Sequence, residues 1–93
     1  MEIKLKKFGE ILTSRPAGKE AYLILKAYSL KGLKNNEEIV IDFDGVKVLT
    51  PSWADEVITK ILQDYSNVKL KNTENSSVQA SLETLRKYEG VEF

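Results

Sequence analysis

Neither cysteine nor histidine occurs in the 93-residue chain. The first absence removes disulfides, thiol chemistry and thiolate metal sites. The second removes the commonest general base and metal ligand near neutral pH. Net charge is also missing. Fourteen Lys and Arg stand against fourteen Asp and Glu, which argues against a bulk electrostatic grip on nucleic acid. No apolar run approaches the ~20 residues of a membrane span. The opening Met1 to Lys7 is strand-like and lacks a signal-peptide core. The expectation is a cytoplasmic domain with no membrane, nucleic acid, metal or cofactor among its partners. At this length the chain, 1–93, is expected to form one domain around one modest core, burying roughly 60–65 % of its unfolded surface.

The chain is organised around the stretch from Glu38 to Ile58. Ile39 to Phe43 is apolar but for Asp42, a run that suits a strand buried on both faces. Asp44-Gly45 then makes a turn before the short Val46–Leu49 segment. A type I′ hairpin is the competing reading of Asp44-Gly45, but its second arm has only about four residues. Thr50-Pro51-Ser52 reads as a helix entrance, with Ser52 as N-cap and Asp55 well placed against the helix dipole. Trp53, Ala54, Val57, Ile58, Ile61, Leu62 and Tyr65 follow at helical spacing.

On either side the pattern alternates strand and helix. Ile3 and Leu5 alternate with Lys4 and Lys6, and Val68 and Leu70 with Lys69 and Lys71. Each set reads as a strand with one wet face. Lysines at such edges usually block edge-to-edge pairing. Gly9-Glu10 predicts a turn and Ile11-Leu12 a short return strand. Ser14 is the expected N-cap of a first helix, with Pro16 in its first turn. Ala17, Ala21, Ile24, Leu25 and Tyr28 form its inward stripe, with Tyr22, Leu23 and Leu30 off it. The segment from Asn72 to Ser77 caps a last helix that turns Val78, Leu82 and Leu85 inward. The unit from Ile39 to Leu70 is expected to be a right-handed parallel crossover.

Ile39-Val40-Ile41-Asp42-Phe43, then Val46, then a serine at a helix mouth, resembles the core of STAS domains, which include the bacterial anti-sigma-factor antagonists. Gly9-Glu10-Ile11 is similar to the Gly-Glu-Leu of their opening hairpin. Ser52-Trp53-Ala54-Asp55-Glu56 and the Ser14-Arg15 step look closest to small STAS-like domains of unassigned function. The chain departs at Thr50-Pro51, where an acid usually precedes the serine, and at Trp53, where glycine usually follows it. The resemblance implies an α/β fold, a mixed sheet of about four strands with three helices. It also implies a non-enzymatic regulatory module whose partner is a sensor-kinase-type ATPase or an anti-sigma-like protein, with Ser52 as phosphoacceptor.

Each candidate residue has a plainer reading beside the functional one. Ser52 is a cap or a phosphoacceptor. Arg15, a cation opposing the dipole in a first helical turn, is paired with Asp55 or Glu56 or waits for an anion. Asp55 and Glu56 point about 100° apart on a helix, and Glu56 can pair with Lys60 at i, i+4. Asp42 bonds a neighbouring loop or lines a site at the strand ends. Trp53 is core or a binding anchor. The rival to the regulatory module is a small-ligand or nucleotide site at the helix starts near Ser14 and Ser52. An enzyme built on Ser52, Asp55 and Arg15 is weakest, because no suitable base and no glycine-rich phosphate loop is present.

Overall fold

The computed structural model describes all residues, 1–93. Its elements alternate as the sequence pattern predicts. β1 is Glu2–Lys4, β2 Ile11–Leu12, β3 Ile39–Asp42, β4 Val48–Leu49 and β5 Val68–Lys71. The helices are α1, Arg15–Ala27; α2, spanning 51–64; and α3, Ser76–Tyr88. No helix is long and apolar enough to cross a membrane.

The sheet corrects the expectation of about four mixed strands. Five strands form two sheets, β1-β3-β5 and β2-β4, and every pair is parallel. The strand expected at Ile11-Leu12 forms but does not return against β1, from which a 3-10 turn at Leu5–Phe8 separates it. Ile11 lies opposite Val48 and Leu12 opposite Leu49 instead. Val46 donates its N–H to the Phe43 carbonyl across the Asp44-Gly45 turn, but β3 and β4 lie in different sheets, so the turn closes no hairpin.

β3 is central and lies beside β5 in parallel, as expected. It is also the most buried strand, with three of its four residues buried. Ile39 and Ile41 lie in the core, whereas Val40 is only half-buried and stands between the exposed Glu2 and Lys69. The even-numbered row faces the polar side of the sheet at Val40, whereas Asp42 at the strand's end is buried. Glu2 to Lys71 and Glu38 to Lys69 are ion pairs on that polar side.

α1 presents a different stripe from the one the spacing suggested. Gly18, Ala21, Tyr22 and Leu25 are buried, while Ile24 and Tyr28 are exposed. Leu30 is also in the core, and of the off-stripe residues only Leu23 is exposed. Gly18 sets this rotation. A Cβ there would lie 2.8 Å from the Trp53 carbonyl oxygen and 3.0 Å from Glu56 Cβ. Without one, α1 approaches the α2 backbone along the glycine line. Tyr22 follows inward, where its hydroxyl donates to Asp64 Oδ2 at 3.0 Å. Burial, helped by that bond, pushes its pKa up to about 12.

α2 is not a uniform helix. Pro51–Ala54 and Lys60–Asp64 are α-helical, and Asp55–Thr59 between them is a π-turn. The wider turn buries four successive residues, Glu56 to Thr59. A regular α-helix would have turned at least one of them outward. π-turns occur frequently at functional sites.

Candidate functional site

Arg15 occupies the first turn of α1, just after its cap. The Ser14 hydroxyl accepts the Ala17 N–H at 3.3 Å, and Ser14 holds a φ of +75° that L-residues rarely adopt. Arg15 Nη1 donates to Asp55 Oδ2 at 2.8 Å and to Glu56 Oε2 at 2.6 Å. Both expected partners are therefore engaged at once, although they are neighbours in sequence. Lys60 Nζ takes the other Glu56 oxygen at 2.7 Å. The Glu56 side chain is 7 % exposed, so its charge requires these partners. The Lys60 bond first, then the Arg15 bond, hold its carboxyl below the usual carboxylate range against the opposing effect of burial. The two carboxylates likewise raise the Arg15 guanidinium further, Asp55 first.

The cap of α2 corrects the reading of Ser52. Thr50, not Ser52, is the N-cap: its Oγ1 accepts the Trp53 N–H at 3.5 Å, and Pro51 begins the helix. Ser52 is exposed on the first turn, and its hydroxyl takes part in none of the chain's hydrogen bonds. Thr50→Ala is therefore expected to cost ~0.5–2 kcal/mol, whereas Ser52→Ala should change stability by less than about 0.5 kcal/mol. Denaturant unfolding of both variants measures this, and the reverse order would return the cap to Ser52.

A concavity of about 250 Å³ gathers Arg15, Pro51, Ser52 and Asp55 with Thr84 and Tyr88 of the last turns of α3 and with Glu89, its C-cap. The fold thus brings Arg15, Ser52 and Asp55 to one place, with Glu56 behind them. The contribution of α3 is not legible in the sequence, since nothing in its spacing says which end meets α2.

Two candidates lie elsewhere. Asp42 is 5 % exposed at the end of β3. Its Oδ1 accepts the Asp44 N–H at 2.9 Å and the Asn72 side-chain amide at 2.8 Å. It therefore fastens the loops after β3 and β5, and the Asn72 bond, then the Asp44 bond, keep its carboxyl below the ordinary range. Trp53 is 2 % exposed and packs against Phe8, ring centroids 6.1 Å apart. It is core, not a surface anchor.

The lowered carboxylates imply acid sensitivity. Folded Asp42 and Glu56 bind protons less readily than in the unfolded chain. Their stabilisation is complete above the unfolded carboxylate pKa of about 4 and drains as pH falls through and below it. Thermal melts from neutral pH to pH ~3 should show this loss, with a shallower slope in Glu56→Gln. Equal slopes in the two proteins would remove Glu56 from the account.

No three His, Cys, Asp or Glu side chains cluster as a metal site. No curated protein and no solved structure matches the chain. Residues 24–78, more than half of the chain, match the family described as STAS-like domain of unknown function (DUF4325), a span that runs from the second half of α1 through β3, the turn at Gly45, Ser52, α2 and β5. The chain belongs to this STAS-like family.

Proposed function

We propose that the chain is a non-enzymatic regulatory interaction module, related in manner to anti-sigma-factor antagonists, whose switch is Ser52. Its partner on this reading is a cytoplasmic sensor-kinase-type ATPase or anti-sigma-like protein. The observation that carries the reading is Ser52 itself. Its hydroxyl is exposed, caps nothing, and shares a concavity with Arg15. A hydroxyl without a structural task beside a half-exposed guanidinium suits phosphate chemistry. Arg15 meets both carboxylates through Nη1 alone, so Nη2 and Nε are free to face a phosphate. The helix start adds its dipole to that attraction. Asp55, Glu56 and Glu89 would repel a phosphate, and the Arg15 and Lys60 charges balance the first two.

The rival small-ligand or nucleotide reading has less support. The concavity lies below the ~300–1,000 Å³ usual for ligand pockets, and the Ser14 hydroxyl is occupied as a cap. Catalysis by Ser52 is weaker still, because the Asp55 carboxylate is tied to Arg15 and neither it nor Glu89 is hydrogen-bonded to the Ser52 hydroxyl.

The test is a titration of wild type, Ser52→Ala and Ser52→Asp against a sensor-kinase-type ATPase from the same cell, beside thermal melts. Ser52→Asp should melt like wild type and bind at least about tenfold more weakly, the scale of one misplaced interfacial charge. Intact-mass analysis after incubation with that partner and ATP should find one phosphate, absent from Ser52→Ala. Unchanged binding together with no phosphate would end the switch reading.

A further inference from the structure

A second surface without a structural task lies on the outer face of α1. Leu23, Ile24 and Tyr28 are three of the eight exposed large apolar side chains of the molecule, and they stand together at the C-terminal end of this one helix. At 100° per residue, these three and Ala27 share an arc outside that of the buried Gly18, Ala21, Tyr22 and Leu25. Apolar side chains scattered singly over a surface need no explanation, but a contiguous group rimmed by polar residues marks a contact surface. Toward Phe8 the arc dips into a notch of about 230 Å³, with Trp53 and Ala21 beneath it, Phe8, Ala17 and Ile24 around it and Glu20 at its margin. The notch is smaller than a small-molecule pocket and suits one large apolar side chain.

Cations border this face. From Arg15 to Lys31 the chain has four cations, with Glu20 alone against them. Arg15 is held by Asp55 and Glu56, whereas Lys19, Lys26 and Lys31 are in no ion pair. Lys7, whose Nζ lies 5.3 Å from the centroid of the Phe8 ring, is bonded only to the Ser29 hydroxyl. The acids that face these lysines are Glu20 on α1 and Asp64 on α2, which accepts the Tyr22 hydroxyl. Two carboxylates against four lysines leave the positive charge in excess. Lys19 and Lys26 stand seven residues apart, about two turns along the same flank.

From the clustered apolar side chains, the notch beside them and the lysines without partners, we infer that this face of α1 receives an amphipathic helix of a partner protein, with acidic residues at seven-residue spacing beside its apolar stripe. One large apolar side chain of that helix seats in the notch, and its acids meet Lys19 and Lys26. The stripe supplies the remaining anchors, at the i, i+3, i+4 and i+7 positions of helix recognition. Glu20 favours a protein over an anionic membrane. Its carboxylate would have to enter the headgroup layer against like charge, whereas a partner helix can oppose it with one cation. The surface does not depend on a switch at Ser52.

The experiment uses the full chain, ¹⁵N-labelled, and a capped helical peptide of about 18 residues as probe. The probe carries a leucine stripe with one central phenylalanine, glutamates at heptad spacing along one flank and a single lysine on the other. Saturable shifts at the Leu23, Ile24, Ala27 and Tyr28 amides are expected. Reversing both flank charges, Lys19→Glu with Lys26→Glu, should weaken binding by about tenfold. Ala17→Met, which fills the notch from an exposed helical position, should weaken it as much. Both variants should melt like wild type. A probe with lysine in place of its glutamates should not bind. Failure to saturate by ~1 mM probe, equal binding of the lysine form, or wild-type affinity in either variant would each overturn the inference. So would binding to phosphatidylglycerol vesicles that Leu23→Ser abolishes, since the face would then be a lipid contact. A sedimenting mass that doubles with concentration in wild type but not in Leu23→Ser would overturn it too, the occupant then being a second copy.

Discussion

Trp53→Ala is expected to lower the melting temperature by more than ~12 °C. Trp53 is 2 % exposed in the core cluster and stacks at a tilt on Phe8. Truncating a buried Trp costs ~3–5 kcal/mol, through lost transfer energy and the cavity left behind. Total stability for such a domain is about 5–15 kcal/mol. Each kcal/mol is worth ~4–8 °C at this chain length. Trp53→Phe keeps most of the ring contact and should lose far less. Circular dichroism melts of both variants decide the matter. A Trp53→Ala protein that melts like wild type yet loses its partner would make Trp53 a surface anchor instead.

That choice between core and anchor is one the sequence left open, and the reason is geometric. A Trp in the first turn of a helix can face either way until the neighbouring helix is placed. Arg15 was easier to read. A cation in a first turn opposes the dipole whatever the tertiary structure, so it needs an anion; of the two readings, a pair or a bound ligand, the pair with Asp55 and Glu56 is present. Asp42 was legible for the same reason: a carboxylate within an apolar strand needs donors, and the adjacent loops supply them.

Other features depended on contacts far apart in sequence. β2 and β4 have two residues each, too few to show a period, and they pair across more than thirty residues. The π-turn has no compositional mark in Asp55–Thr59, so the burial of Glu56 could not be read from helical spacing. The cap at Thr50 was present in the sequence. Proline favours the first helical position, which assigns the cap to the residue before Pro51, and Ser52 is thereby released from that role. This one-turn difference matters most for function, because a capping hydroxyl is engaged and the Ser52 hydroxyl is not.

Gly18→Val is expected to destabilise by about 3 kcal/mol or more and to loosen the Arg15 cluster with it. Two of the three atoms nearest a Cβ at Gly18 are the Trp53 carbonyl oxygen at 2.8 Å and Trp53 Cα at 3.1 Å. Both are backbone, so neither can move aside as the end of a flexible side chain can. α1 must shift outward, and the two γ-methyls of valine enlarge the shift. Helix propensity favours alanine over glycine by about 1 kcal/mol, so Gly18→Ala offsets part of its own clash and should cost less than Gly18→Val. Lys19→Val, on the exposed neighbouring position, should lie near ±0.5 kcal/mol and controls for the β-branched side chain. The distinctive result concerns Arg15. Glu56 Cβ is also 3.0 Å from the added carbon, so the displacement that relieves the clash separates the helices that carry Arg15 and Glu56. A double-mutant cycle on Arg15→Ala and Glu56→Gln should give a coupling in wild type that shrinks in the Gly18→Ala background, which is chosen because it still folds. Full coupling in that background would mean that the cluster holds itself together, and that Gly18 serves packing alone.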